Sequence, residues 1–283
     1  MWYFLHGVLA MINIEKQSAI FNLYPAKAAF KGILSIPHSG EELPDEFKQY
    51  LSSNMKDLMQ DVDFRVHELV DIEKLQENGI TVLKSNIIRT AIDLNRKKEI
   101  CLFSWKKNSK AVQIVNSGPP IELGEQLIEK YYSPYYEVLK TLILDLQSKM
   151  KIPSLVDLHS MPSRAEEYHL KINPTQDLVR PDFCISDISG QSCEKEYIDF
   201  ISNSLNIPYS NVTQNNPYFG GNITRFLHST YEPLNNIQIE ISREIYMDER
   251  NQSLVTEKVT RLKGELTNSL IEFFNHFYDK HKS

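Results

Sequence analysis

The 283-residue chain is predicted to have an α/β fold, in which helices cover both faces of a central sheet. Short apolar segments typical of strands recur at residues 32–37, 80–85, 154–159, 182–187 and 237–242. Apolar residues at helical spacing occupy residues 61–77, 122–149 and 252–279. No repeat, low-complexity stretch or glycine- and serine-rich linker divides the chain, so we expect a single domain over residues 1–283.

The helical stretch 122–149 contains Pro134. Because proline has no backbone N–H to donate, we expect it to begin or kink a helix there. The first residues, MWYFLHGVLAM, are apolar but have neither a charged leading segment nor an A-x-A cleavage site. We interpret residues 1–30 as an N-terminal extension, with an alternative start at Met11, rather than as a signal peptide.

Composition excludes several classes of protein. Lys and Arg number 31 against 37 Asp and Glu, so the formal net charge is 31 − 37 = −6, and nucleic acid is not the expected partner. No apolar run approaches the roughly 20 residues that span a bilayer. The three cysteines, Cys101, Cys184 and Cys193, form no C-x-x-C pair, which is typical of a reducing compartment and predicts a cytoplasmic protein.

Two histidines end or follow predicted strands. His38 comes directly after residues 32–37, and Glu41 lies three residues further on, with Gly40 between them. A turn at the glycine would bring both side chains to one metal ion, since zinc accepts imidazole nitrogen and carboxylate oxygen. His159 ends the strand 154–159 and shares a face with Asp157, which could orient an imidazole ligand. The alternatives are a solvated loop at His38 and a structural histidine at the edge of the core.

Other segments supply carboxylate-binding and acid–base groups. In 88–96, Arg89, Asn95 and Arg96 suit an anion clamp, although surface arginines paired with acidic neighbours would give the same pattern. The loop 215–225 has two adjacent glycines that allow close backbone approach or positive φ, and it ends in Arg225, a second candidate anion contact. Glu240 lies within an apolar strand, where a carboxylate is costly unless paired or used. It is therefore a candidate general base, or else a salt-bridge partner of Arg243 or Arg89.

Taken together, these segments resemble the N-formylglutamate amidohydrolase family. The resemblance is carried by an ordered series of motifs: IPHSGEELPDEF, RTAIDLNR, YYSPYYEVL, VDLHSMPS, NNPYFGGNITR and QIEISREIYMDE. They extend from residue 36 to residue 249, and DLHSMPS and the last motif are the most specific. The residues picked out by chemistry therefore fall within the family's motifs.

The resemblance implies a zinc-dependent amidohydrolase with a three-layer α/β/α fold and a mixed central sheet, similar to zinc exopeptidases and carboxypeptidases and of the phosphorylase/hydrolase-like type. It implies that His38, Glu41 and His159 bind zinc and that Glu240 is the catalytic carboxylate, with Asp157 behind the metal. Carboxylates of a small N-acyl amino acid would be bound by a set of polar residues: Arg89, Asn95, Arg96, Arg225 and Arg243. The family also implies a role in histidine degradation.

The expected reaction is hydrolysis of the formyl amide of N-formyl-L-glutamate to formate and L-glutamate. One alternative is a zinc carboxypeptidase or a deacylase of other N-acyl amino acids or small peptides, which a substrate panel would separate. Another is a non-catalytic binding module on the same fold. Retention of all three expected ligands and of Glu240 argues against that second alternative.

Overall fold

A computed structural model describes residues 19–102 and 107–283. The proposed start at Met11 lies outside the described residues, as does most of the expected N-terminal extension. The described chain forms a mixed sheet of seven strands in the order β1-β3-β2-β4-β7-β5-β6. The strands are β1 (Phe21–Tyr24), β2 (Gly32–Ile36), β3 (Ile80–Ser85), β4 (Ser154–Met161), β5 (Phe183–Ser186), β6 (Val212–Gln214) and β7 (Asn235–Ser242). Two further short strands, β8 (Met247–Asp248) and β9 (Ser253–Leu254), pair with each other.

The centre of the sheet is parallel and its borders are antiparallel. Strands β3, β2, β4 and β7 run in the same direction, whereas β1 is antiparallel to β3 and β5 is antiparallel to β7. All five strands predicted from the sequence are confirmed. The sequence pattern missed β1 and β6, which are short strands at the two edges and are only partly buried. An edge strand has a weak apolar signal because solvent covers part of it.

Helices cover both faces of the sheet, as expected. They are α1 (Asp45–Lys48), α2 (Met55–Leu58), α3 (Ile72–Glu77), α4 (Ile121–Leu127), α5 (Ser133–Gln147), α6 (Glu167–Ile172), α7 (Lys195–Asn206), α8 (Asn222–Thr230) and α9 (Thr256–His281). Helices α4 and α5 share a core with Ile33 and Leu155 on one face. Helices α7 and α9 share a second core with Leu34 and Val156 on the other face. Within the described residues, no helix has the length and apolar character that a membrane crossing requires.

Two of the three helical predictions are confirmed. Residues 122–149 form α4 and α5, joined by a π-helical turn over Ile128–Tyr132, and Pro134 lies in the first turn of α5. Residues 252–279 correspond to α9. The prediction for 61–77 is wrong over its first half, where one 3₁₀ turn ends at Asp61 and a second, Val66–Leu69, precedes α3. The apolar residues there are buried because the loop packs into the core. Their spacing therefore indicated burial and not helical structure.

Because side chains alternate between the two faces of a strand, the polar residues of the functional site lie together on the face of the sheet that α5 covers. Ile33 and Leu155 are apolar at the amino-terminal ends of β2 and β4, and the next positions on that face are Ser35 and Asp157. His159 follows Asp157 on β4, opposite Glu240 of β7. The buried polar side chains therefore gather at the carboxyl ends of the parallel strands, where α/β folds bind ligands.

Candidate metal centre and substrate cavity

Two histidines and an aspartate meet at this edge of the sheet. His38 follows β2, His159 lies in β4, and Asp63 lies in the loop between α2 and α3. The backbone N–H of Asp63 donates to the carbonyl oxygen of His38 at 3.2 Å, which ties this loop to the end of β2. All three side chains are at most 2% exposed.

The three side chains present ligand atoms to one point. Oδ2 of Asp63 lies 2.9 Å from Nδ1 of His159 and 3.6 Å from Nδ1 of His38. One candidate ligand atom from each residue lies within 4.8 Å of the other two. Among the described residues, Nδ1 of His38 and Oδ1 of Asp63 have no hydrogen-bond partner although both are buried. Buried polar atoms are rarely left without a hydrogen bond, so the unpartnered ring nitrogen of His38, which faces Asp63, fits a bound cation.

The opposite nitrogen of each imidazole is held by a carboxylate. Nε2 of His38 lies 2.7 Å from Oδ1 of Asp93, and Nε2 of His159 lies 2.8 Å from Oδ2 of Asp157. Ser35 donates its hydroxyl to the other oxygen of Asp157 at 2.7 Å. Histidine ligands of metals usually have such a carboxylate behind them, because it fixes the ring and places the free nitrogen toward the metal. The predicted contact between Asp157 and His159 is present.

The charges in this cluster favour a cation at its centre. Burial raises the pKa of Asp63, but the hydrogen bond from His159 and the electrostatic attraction of His159 and His38 outweigh burial and hold that pKa well below its usual range. Burial also opposes ionisation of Asp93, but Arg89 and His38 hold its pKa well below the usual value. Burial lowers the pKa of His159, whereas Asp157 and Asp63 raise it well above normal. The carboxylates thus stay ionised and attract positive charge, which a divalent metal would supply.

Glu41 does not join this group, and the expectation that it does is corrected. The chain does not turn at Gly40; it bridges to the segment after β3, where Gly40 pairs with Ile88 and Glu42 with Ile87. Glu41 is left exposed, with its carboxylate 3.6 Å from Nε of Arg65. Asp63 has the position that the sequence assigned to Glu41.

Glu240 lies beside the cluster and is 8% exposed. Nε2 of Gln238 donates to Oε1 of Glu240 at 2.7 Å, while Oε1 of Gln238 accepts from the backbone N–H of Gly221 at 2.7 Å. Gly221 is required here, because a Cβ at that position would lie 2.1 Å from Nδ2 of Asn95. Burial raises the pKa of Glu240 to about 7, although His159 opposes the rise. The result is an oriented carboxylate that can accept and release a proton near neutral pH.

A cavity of about 430 Å³ adjoins the cluster. Ser160, the residue after His159, lines it together with Glu240. Arg89 and Arg243 also line the cavity. A guanidinium nitrogen of Arg89 lies 3.6 Å from Oδ1 of Asp63, and one of Arg243 lies 4.0 Å from it. The volume is in the range of small-molecule sites. Among the residues that the structure describes, Arg96, Lys107 and Arg180 also line the cavity.

The predicted substrate-binding residues divide into two sets. Arg89, Arg96 and Arg243 line the cavity. The side chain of Asn95 is instead used within the protein, since Oδ1 accepts the backbone N–H of Ile223 at 2.8 Å. Arg225 is exposed on α8, donates to the carbonyl of Gly220 at 3.2 Å and is absent from the cavity wall. These contacts do not support the expectation that Asn95 and Arg225 bind substrate, which stays a prediction.

Several residues of the site escaped the sequence analysis. Asp63 lies within the segment 61–77, whose pattern resembled a helix, and Asp93 lies between Arg89 and Arg96, which attracted attention as anion contacts. Arg180 comes just before the predicted strand 182–187, and Tyr218 lies in the glycine-rich loop. The useful signal was charge next to a strand end: Arg180 and Asp182 flank Pro181 at the beginning of β5, which is antiparallel and so starts at the edge where the site lies.

Comparison with known proteins identifies the family of the chain. Residues 31–247 match the family described as N-formylglutamate amidohydrolase. The chain is 24% identical over 230 residues to N-formylglutamate deformylase of Pseudomonas aeruginosa, covering 77% of this chain and 82% of the relative. It is similar in fold to the crystal structure of N-formylglutamate amidohydrolase from Ralstonia eutropha JMP134, with a TM-score of 0.81 and 23% identity over 93% of this chain and 99% of that one. It is also similar to gene product Atu2144 of Agrobacterium tumefaciens, with a TM-score of 0.66 and 16% identity over 96% and 99% of the two chains. Because the matched segment is most of the sequence, the chain belongs to the N-formylglutamate amidohydrolase family.

Proposed function

We propose that this protein hydrolyses the formyl amide of N-formyl-L-glutamate to formate and L-glutamate. The observation that carries the proposal is the buried group His38, Asp63 and His159 beside Glu240, at the wall of a cavity rich in arginine. A metal-type ligand set next to an acid–base group suits amide hydrolysis, and the arginines suit a substrate with two carboxylates. Membership of the family supports the same substrate.

Zinc is the metal we propose, because two imidazole nitrogens and one carboxylate oxygen form a typical catalytic zinc ligand set. His38 and His159 would bind it through Nδ1 and Asp63 through its carboxylate, with Asp93 and Asp157 behind the rings. When bound there, zinc supplies Lewis acidity toward the amide carbonyl and the attacking water.

Glu240 performs the proton transfers in this proposal. Its carboxylate accepts a proton from the attacking water and delivers it to the leaving amine nitrogen, so that the amine departs neutral. Gln238 holds one oxygen of Glu240 and leaves the other for the reaction. The raised pKa of Glu240, about 7, matches a group that must take up and release a proton in one cycle.

The arginines of the cavity wall differ in their hydrogen-bond partners, and therefore in the roles we propose for them. Arg89 and Arg96 donate to Asp93 at 3.2 and 3.1 Å and line the cavity close to the metal-type group. Arg243 donates to the backbone carbonyls of Gln60 and Val62 at 3.1 and 2.8 Å. We assign binding of the α-carboxylate to Arg89 and Arg96, and assign to Arg243 the positioning of the loop that carries Asp63.

We also propose a cytoplasmic location and a small molecule as the partner. All three cysteines are free, and Cys101 and Cys184 are buried. Unpaired thiols suit a reducing compartment. If glutamate is the product, the enzyme would act in histidine degradation, as its family resemblance implies.

The test combines metal analysis with a formate-release assay. Purified protein should contain about one zinc ion per chain, as expected for a three-ligand catalytic site. It should release formate and glutamate in equal amounts from N-formyl-L-glutamate, and faster than it acts on N-acetylglutamate or dipeptides. Zinc-replete protein that released no formate from N-formyl-L-glutamate would contradict the proposal.

A further inference from the structure

The buried guanidinium of Arg180 makes no ion pair within the described part of the chain. Arg180 lines the cavity and is 4% exposed. Among the described residues, no carboxylate comes within ion-pair distance of it, whereas Arg89 and Arg96 share Asp93. Its Nε atom is buried without a hydrogen-bond partner. The carboxylate of Glu240 is close enough to interact electrostatically with Arg180 but is not within ion-pair distance of it. A buried guanidinium without a paired carboxylate is costly, so this arrangement indicates that an anion binds there.

The chain holds Arg180 in place from several directions. Nη1 donates to the hydroxyl oxygen of Tyr218 at 2.6 Å, and the guanidinium lies over the Tyr218 ring, 5.0 Å from its centroid. Nη2 donates to Oε1 of Gln176 at 3.3 Å. The amide nitrogen of Gln176 in turn donates to the carbonyl of His169 at 2.7 Å. An arginine fixed by neutral partners retains its full charge for a ligand.

Backbone pairing fixes the segment that carries Arg180. Residues 163–180 leave the sheet after β4 and return before β5. The backbone N–H of Arg180 donates to the carbonyl of Ser163 at 2.9 Å, and that of Ala165 donates to Leu178 at 2.8 Å. Arg180 therefore lies where the two ends of segment 163–180 pair with each other. His169, in the middle part of the same segment, also lines the cavity.

We propose that Arg180 binds the side-chain carboxylate of the substrate and thereby selects an acidic amino acid. This inference rests on the proposed function. The α-carboxylate is attached to the carbon that carries the scissile amide, so it must stay near the metal-type group, where Arg89 lies 3.6 Å from Asp63. Arg180 contacts none of the three residues of that group. Arg180 therefore suits the side-chain carboxylate of glutamate, which two methylene groups separate from the α-carbon that carries the reacting amide.

The hydroxyl of Tyr218 adds a second donor to this subsite. It accepts from Arg180, and its own hydrogen has no acceptor among the residues that the structure describes. Burial raises the pKa of Tyr218 to about 12, so the hydroxyl keeps its proton at neutral pH. A ligand carboxylate next to Arg180 can therefore accept from both side chains. Tyr218 is a positioning residue for Arg180 and a candidate contact to the ligand.

The test compares N-formyl-L-glutamate with N-formyl-L-glutamine, which differs only in the charge and donors of its side chain. In Arg180→Gln we expect kcat/KM for the glutamate derivative to fall by about 100-fold or more, as for the loss of one partner of a buried charge pair. For the glutamine derivative, kcat/KM should stay within about threefold, because a neutral side chain gains little from the guanidinium. Arg164→Gln, an exposed arginine of the same segment, is the matched control and should behave as the wild type with both substrates.

Equal losses for both substrates would overturn the assignment, since they would mean that Arg180 binds the α-carboxylate or only supports the fold. If Arg180→Gln does not fold, Tyr218→Phe replaces it: KM should rise more for the glutamate derivative than for the glutamine derivative, because a hydrogen bond to a charged acceptor is the stronger one. An equal rise in KM for both substrates would again overturn the assignment. Wild-type protein that hydrolyses neither substrate would instead refute the proposed function, so the two failures are distinguishable.

Discussion

Replacing Asp157 by asparagine should weaken zinc binding without unfolding the protein. Asp157 is fully buried; it accepts from Ser35 at 2.7 Å and lies 2.8 Å from Nε2 of His159. Asparagine has the same shape, and its oxygen can still accept from His159. Its amide group can donate to Ser35, which stands 2.9 Å from the hydroxyl of Tyr135 and can donate there instead. Tyr135 donates onward to the carbonyl of Leu83 at 3.2 Å, so every hydrogen bond is retained.

What Asp157→Asn removes is therefore the negative charge behind His159. Loss of such a carboxylate usually lowers metal affinity by about 10–100-fold, which is about 1.4–2.7 kcal/mol of binding free energy. We expect a loss in this range, measured by competition with a chromogenic zinc chelator. Thermal unfolding of the apo forms checks the fold.

Asp177→Asn makes the same substitution at an exposed aspartate and should leave zinc affinity unchanged. A folded Asp157→Asn protein that bound zinc within about twofold of the wild type would refute the reasoning. It would show that the contact with Asp157 does not tune His159 as a ligand.

Three further predictions concern the reaction and the fold. Glu240→Gln should retain zinc and lose about 10²–10⁴-fold in kcat, because an amide cannot transfer the proton; loss of zinc would contradict this role. Gly32→Ala should destabilise the fold by about 1–3 kcal/mol in urea unfolding, because its Cβ would lie 2.1 Å from the buried ring of Phe274. Gly264→Ala, with open space around its Cβ, is the control and should not destabilise, since alanine favours a helix. Chelation should lower the melting temperature reversibly, since zinc at 100 times its Kd adds about 2.7 kcal/mol of stability; an unchanged melting temperature would contradict a structural contribution of the metal.

The centre of the sheet was predictable because its strands are buried on both faces. The segments that became β2 and β4 are apolar and short, and helical patterns separate them, so local sequence was sufficient. Residues 61–77 show the limit of that approach. Their apolar residues are buried, but the contact that shapes the loop, from Asp63 to the carbonyl of His38, joins positions that sequence spacing does not relate.

The same distinction divides the candidate site. His38, His159 and Glu240 could be found because each follows or lies in a predicted strand, and parallel strands bring their carboxyl ends together. Glu41 was chosen by its spacing from His38, but pairing of residues 40–42 with residues 86–88 turns it to solvent. Asp63 could not be preferred over it, since that choice depends on how a distant loop folds back onto β2.

The central claim is that Asp63, rather than Glu41, completes the metal site with His38 and His159. Zinc content per chain in Asp63→Asn and Glu41→Gln tests it most directly, with both proteins purified and dialysed alongside the wild type. We expect Glu41→Gln to keep about one zinc ion per chain and its activity, and Asp63→Asn to fall below about a tenth of that content while remaining folded. Full zinc in Asp63→Asn together with loss of zinc in Glu41→Gln would contradict the account.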